Sequence, residues 1–143
     1  MNSIKGKFAL VTGGTQGLGA AIAKNFAENG AEGIITIGRK EEKGKEIEKK
    51  IQDETGCKVI FVKTDLPNVQ ECRNAVSVAK KNFGKLDILV NAAGITDRGN
   101  IVNTSEELFD KMIGTNVKGP FFLIQETVKI MIDQGIQGSI INI

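Results

Sequence analysis

No tryptophan, tyrosine or histidine occurs anywhere in the 143-residue sequence. Without tyrosine or histidine, the chain lacks the side chains most often used to move protons near neutral pH. Cysteine is scarce: Cys57 and Cys72 stand alone, with no C-x-x-C spacing. That argues against a disulfide framework, a metal site or a thiol nucleophile. It argues for two buried, reduced thiols, Cys57 in an apparent strand and Cys72 on an apparent helix face. An excess of one charge is missing too, since 19 basic and 17 acidic residues leave +2. So small a net charge gives no reason to expect nucleic acid or an anionic membrane as partner. No apolar run reaches membrane-spanning length, and Met1 to Lys7 carries no apolar signal region, so the cytoplasm is the expected compartment. Repeats, linkers and low-complexity tracts are also absent. The length fits one domain, residues 1–143, able to bury about two thirds of its unfolded surface.

What is present is glycine, and it concentrates where it matters. The stretch from Lys7 to Phe26 reads as an apolar strand (Phe8 to Val11), a glycine-rich turn (Thr12 to Gly19) and an amphipathic helix opening at Gly17 or Leu18. Such a unit aims the first free N–H groups of the helix, and its positive dipole end, past the carboxyl edge of the strand. That is a phosphate-shaped site. Gly13 lets the chain leave the strand sharply, Gly17 lets backbone approach a pyrophosphate, and Gly19 lets the helix pack closely. The spacing is T-G-x-x-x-G-x-G, Thr12 to Gly19, and not G-x-G-x-x-G, whose third glycine would fall on Ile22.

Downstream, strands and helices alternate. Gly33 to Ile37 is a continuous apolar strand of the kind buried on both faces of a parallel sheet. A charged helix with a narrow Ile47, Ile51 stripe follows from Glu41 to Thr55, stops at Gly56, and is expected at the periphery. Lys58 to Val62 is a third strand. Asn68 caps a helix with apolar residues at Val69, Cys72, Val76, Ala79 and Phe83, ended by Gly84. Leu86 to Val90 is a fourth strand, and Ile95 to Asn103 a polar loop. Thr104 with Glu107 has the form of a capping box. The apolar period then runs from Leu108 to Ile132, interrupted by Gly114, Asn116, Gly119 and Pro120, and Ser139 to Ile143 starts a fifth strand. The expected fold is α/β, a doubly wound parallel sheet of Rossmann type with right-handed crossovers.

Arg39 and Lys40 stand at the end of the second strand, where a fold selecting NAD usually places an acidic residue. Arginine offers a planar fork to a phosphate, so the expected cofactor is NADP(H), with NAD(H) the alternative. Asp65 and Leu66 follow the third strand. A carboxylate there can accept from an adenine amino group, and the same residue can open a turn beside Pro67; both can hold at once. Asn91, Ala92, Ala93 and Gly94 are small residues that let backbone approach a ribose, and they also suit a plain strand-to-helix turn. Thr15, Gln16 and Leu18 complete the candidate cofactor set with Gly13, Gly17 and Gly19.

Taken in order, TGGTQGLG at Thr12, DL at Asp65, NAAG at Asn91, Asn116 and the strand SIINI resemble the short-chain dehydrogenase/reductase family. The resemblance implies an NAD(P)(H)-dependent oxidoreductase passing hydride between nicotinamide and a small-molecule carbonyl or alcohol. It places Asn116 in the catalytic set, holding a water of the proton relay and shaping a helix kink, and implies a dimer or tetramer for a complete relative. It puts the substrate pocket partly on Ile95 to Asn103. The family's serine and Tyr-x-x-x-Lys would fall beyond Ile143. The sequence therefore reads as the cofactor-binding half of such an enzyme, cut before its active site, inactive alone and exposed along one sheet edge. A module that binds cofactor without turnover, or an inactive truncated fragment, is the alternative.

Overall fold

The short apolar runs rich in branched side chains form the strands, and two of the helices between them stop on a glycine, Gly56 and Gly84. The computed structural model describes residues 4–143; Met1, Asn2 and Ser3, part of the segment without a signal pattern, lie outside the described residues. The order is β1 (Phe8–Thr12), α1 (Gly17–Glu28), β2 (Gly33–Gly38), α2 (Glu41–Thr55), β3 (Lys58–Lys63), α3 (Val69–Phe83) and β4 (Ile88–Asn91). Then come α4 (Glu106–Ile113), a π-helical turn (Gly114–Lys118), α5 (Gly119–Asp133) and β5 (Ser139–Asn142).

The five strands form one parallel sheet in the order β3-β2-β1-β4-β5, the expected doubly wound arrangement. Alternate side chains along each strand feed two cores. Val11, Ile34, Val59 and Val90 meet Ala23 of α1 and Ile51 of α2, while Leu10, Ile35 and Leu89 meet Cys72 and Val76 of α3 and Leu123 of α5. A fully buried leucine of this kind contributes about 1.5–3 kcal/mol. Helices α2 and α3 end on Gly56 and Gly84 in the left-handed region, φ 72° and 75°.

Helix α2 does more than its narrow stripe predicts. Its Glu48 carboxylate accepts from Phe61 N at 2.5 Å, and Gln52 Nε2 donates to Val59 O at 3.1 Å. Those bonds occupy backbone groups of edge strand β3 that would otherwise template another strand. Strand β5, at the other edge, is mostly exposed.

Several boundaries differ by a residue or two from the pattern reading, and three of them have a physical cause in the contacts. Cys57 lies one residue before β3, buried, with its thiol donating to Ala31 O at 3.2 Å. Strand β4 begins at Ile88, because the buried Asp87 turns its carboxylate onto Phe8 N at 2.9 Å. Helix α4 is capped by Ser105, whose hydroxyl accepts from Leu108 N at 3.3 Å, since the Thr104 hydroxyl already donates to Asn100 O at 2.8 Å. The Glu107 carboxyl is held below its ordinary value by its own backbone N–H and then by the Ser105 hydroxyl.

The glycines that interrupt the last long helix also find their reason. A Cβ at Gly119 would lie 2.7 Å from the Leu66 backbone O, and one at Gly114 would lie 3.1 Å from Pro67 Cβ. The helix is thus pressed onto the turn after β3, and the π-helical turn takes up the extra residue between them. No helix among the described residues is long and apolar enough to cross a membrane.

Candidate cofactor site

Connections from β1 lead to β2 and β3 on one side, while β4 and β5 lie on the other. Beyond the carboxyl ends of β1 and β4 the chain therefore parts in opposite directions, leaving a crevice. The crevice is fastened by a residue that pattern reading left without a role. The Thr12 hydroxyl, buried at the end of β1, accepts from Ala92 N at 2.9 Å and Ala93 N at 2.8 Å. Its sequence signals are a hydroxyl ending an apolar run and its place at the head of the T-G-x-x-x-G-x-G spacing.

The glycine turn fills the floor of this crevice. Gly13 and Gly17 have φ of 70° and 55°, values that side-chain-bearing residues rarely adopt. A Cβ at Gly19 would lie 2.5 Å from Gly13 O and 2.6 Å from Thr12 O, so only glycine lets α1 sit this close to the turn. At Gly17 a Cβ would meet nothing within 4 Å; its backbone faces open space. Gly14 N donates to Ile37 O at 3.1 Å, tying the turn to the end of β2.

The start of α1 is chemically open. Gln16, at the N-cap, makes no side-chain cap bond, and the first turn holds no acidic residue. The first N–H groups of a 12-residue helix, with the positive end of its dipole, thus face the crevice unneutralised. These features fit a dinucleotide pyrophosphate, whose oxygens would accept from those N–H groups. Among the described residues no group of acidic, histidine or cysteine side chains could hold a metal ion.

The cleft is lined by Gly13, Thr15, Gln16, Gly17, Leu18 and Gly19 from the turn and by Arg39 after β2. Asp65 and Leu66 line it beyond β3, and Ala92, Ala93 and Gly94 beyond β4. Asp65 is exposed there, with its own N–H held by the Glu71 carboxylate at 2.7 Å. Lys40 is not among the lining residues. It is spent as the N-cap position of α2, exposed and pointing the backbone into that helix. Thr64 and Thr115 line the cleft without having been singled out in the sequence, and Ile95, the first residue of the loop given to the substrate pocket, lines it too.

Asn91 and Asn116 lie next door rather than in the cleft, bordering a hollow shared with Asn142. Asn91 is buried, and its Nδ2 donates to Asn142 Oδ1 at 2.8 Å across the β4–β5 pair. Asn116 sits in the π-helical turn and grips Ile95 with both ends of its amide. Its Oδ1 accepts from Ile95 N at 2.9 Å and its Nδ2 donates to Ile95 O at 2.8 Å. The side chain is thereby committed to holding the segment after Gly94.

Both cysteines are free and buried. Burial, with the charges of Glu71 and Asp65 behind it, pushes the Cys72 thiol up to about 11, and burial raises Cys57 as well. Neither is a nucleophile near neutral pH.

Residues 7–143 match the family described as short chain dehydrogenase. An uncharacterized oxidoreductase of Thermotoga maritima is 43% identical over 141 residues, which is 99% of this chain and 54% of that protein. A 2,5-dichloro-2,5-cyclohexadiene-1,4-diol dehydrogenase of Sphingobium indicum is 38% identical over 99% of this chain and 56% of its own length. Among solved structures, L-sorbose reductase from Gluconobacter frateurii, complexed with NADPH and L-sorbose, superposes with a TM-score of 0.93 at 30% identity, over 98% of this chain and 52% of that one. A short chain dehydrogenase from Burkholderia cenocepacia in complex with NADP gives a TM-score of 0.88 at 33% identity, over 99% and 56%. The chain spans about half the length of the curated relatives it matches.

Proposed function

The chain belongs to the short chain dehydrogenase family, and on that premise we propose that residues 1–143 form the dinucleotide-binding portion of an NADP(H)-dependent oxidoreductase. Its substrate would be a small carbonyl compound or alcohol. The observation that carries this reading is the pairing of an uncapped α1 start with Arg39 in one cleft at the switch point of the sheet.

In this reading Gly13 to Gly19 hold the pyrophosphate, and Thr15, Gln16 and Leu18 line its path. Arg39 takes the 2′-phosphate by a charge-assisted bond worth about 1.5–3 kcal/mol, with Lys40 beside it adding positive charge. Asp65 and Leu66 meet the adenine, and the stretch Asn91, Ala92, Ala93 and Gly94 lets main chain approach a ribose. The bound nicotinamide supplies or receives the hydride. Asn116 would hold a water of the proton relay at the π-helical kink, while its side-chain amide positions Ile95 and the segment after Gly94. NADP and NADPH in the solved relatives support the choice of cofactor. Two reduced thiols fit a cytoplasmic setting. An exposed stripe of Phe109, Ile113, Val117 and Phe121 supports association into a dimer or larger homo-oligomer.

A second reading, cofactor binding without turnover, is favoured by one observation: these residues include no tyrosine or histidine. NADPH oxidation by the full-length protein that carries these residues, against a panel of aldehydes and ketones, separates the two. Cofactor choice is read by titration with NADPH and NADH, following nicotinamide fluorescence, which no tryptophan or tyrosine obscures. Arg39→Asp is expected to weaken NADPH binding tenfold or more, on the order of 1.4 kcal/mol, and to leave NADH unaffected. Unchanged NADPH affinity would remove the case for the 2′-phosphate.

A further inference from the structure

We infer that Thr115 is a cofactor-binding residue whose hydroxyl hydrogen-bonds the adenosine half of the dinucleotide; the inference rests on the cofactor reading above. Three observations lead there. Thr115 lines the cleft half-buried, next to Asn116, which does not line it. The residue before it, Gly114, is pressed against Pro67, and Gly119 is pressed against Leu66. Thr115 is therefore held on the side of the cleft formed by Asp65 and Leu66, the side that this reading gives to adenine.

The third observation concerns the hydroxyl itself. A threonine in a helix commonly returns its hydroxyl to a carbonyl one turn back, as Thr55 does to Ile51 O at 2.6 Å. Thr115 makes no such bond among the described residues, and no other side chain takes its place. In the π-helical turn the carbonyl ladder is widened, and the hydroxyl of this cleft-lining residue keeps one donor and two lone pairs to offer. Adenosine presents matching groups in the ring nitrogens and the ribose hydroxyl. The turn thus divides two neighbours between two tasks: Thr115 for the ligand, Asn116 for the Ile95 main chain.

The test is Thr115→Val, which keeps the shape and removes the hydroxyl, with Thr115→Ser as rescue. The protein is titrated with NADPH, adenosine 2′,5′-bisphosphate and nicotinamide mononucleotide, and the Ile95 amide resonance is recorded without ligand. The valine variant is expected to lose about three- to tenfold in affinity for both adenosine ligands and none for the mononucleotide. Serine is expected to restore it, and the Ile95 amide to stay where it is in the unsubstituted protein. Unchanged affinity for the adenosine ligands would overturn the assignment. So would a displaced Ile95 resonance with a loss shared by the mononucleotide, which would mark a structural role through the Asn116 grip. If the unsubstituted protein binds none of the three ligands, the cofactor reading itself falls. If it binds them and valine changes nothing, only Thr115 does.

Discussion

Helices α1 and α3 open at the same edge of the sheet, after β1 and β3, and they open in opposite ways. At α3 the Asn68 Oδ1 accepts from Gln70 N at 3.0 Å and Glu71 N at 3.3 Å, and Asn68 Nδ2 donates to the Glu71 carboxylate at 2.9 Å. The Cys72 thiol closes the turn beneath them, donating to Leu66 O at 3.3 Å. At α1 there is no cap bond and no carboxylate in the first turn. A helix start needs acceptors for its free N–H groups. Where the chain supplies them, the start is framework; where it withholds them beside a cleft, the acceptor comes from a ligand.

Substitutions can sharpen or break that contrast. The largest effect is expected at Gly19, where alanine would put a Cβ 2.5 Å from Gly13 O. Backbone on both sides of that contact has to shift, so NADPH affinity should fall at least ~100-fold, about 2.7 kcal/mol, as read by the same titration. Closing the open start should come next. Gln16→Asp gives α1 the cap it lacks, and is expected to raise stability in urea by about 0.5–1 kcal/mol while weakening NADPH about tenfold, because its carboxylate competes with the phosphate. A variant that gains stability and keeps full affinity would break the contrast. The smallest effect is the reverse change: Asn68→Ala should cost about 1 kcal/mol in urea unfolding and leave NADPH affinity alone.

Much of this was legible because local rules and fold agreed. The strand and turn periods gave five parallel strands, and Gly56 and Gly84 stop helices as glycines in the left-handed region do. What escaped pattern reading depends on contacts distant in sequence. Asp87 shortens β4 only because it meets Phe8, and Thr12 matters only because β4 ends beside it. Arg39 and Lys40 looked equivalent, but Arg39 lines the cleft while Lys40 stands at the N-cap position of α2. Asn116 and Thr115 are neighbours whose different surroundings follow from a π-helical turn, and the interrupting glycines announced an irregularity without its type.

The most direct test of the account is an amide chemical-shift titration of the 15N-labelled protein with NADP. The account predicts that the Leu18 and Gly19 amides, at the open start of α1, move most, while Gln70 and Glu71, at the capped start of α3, stay in place. Shifts spread evenly over both helix starts, or absent from α1, would contradict it.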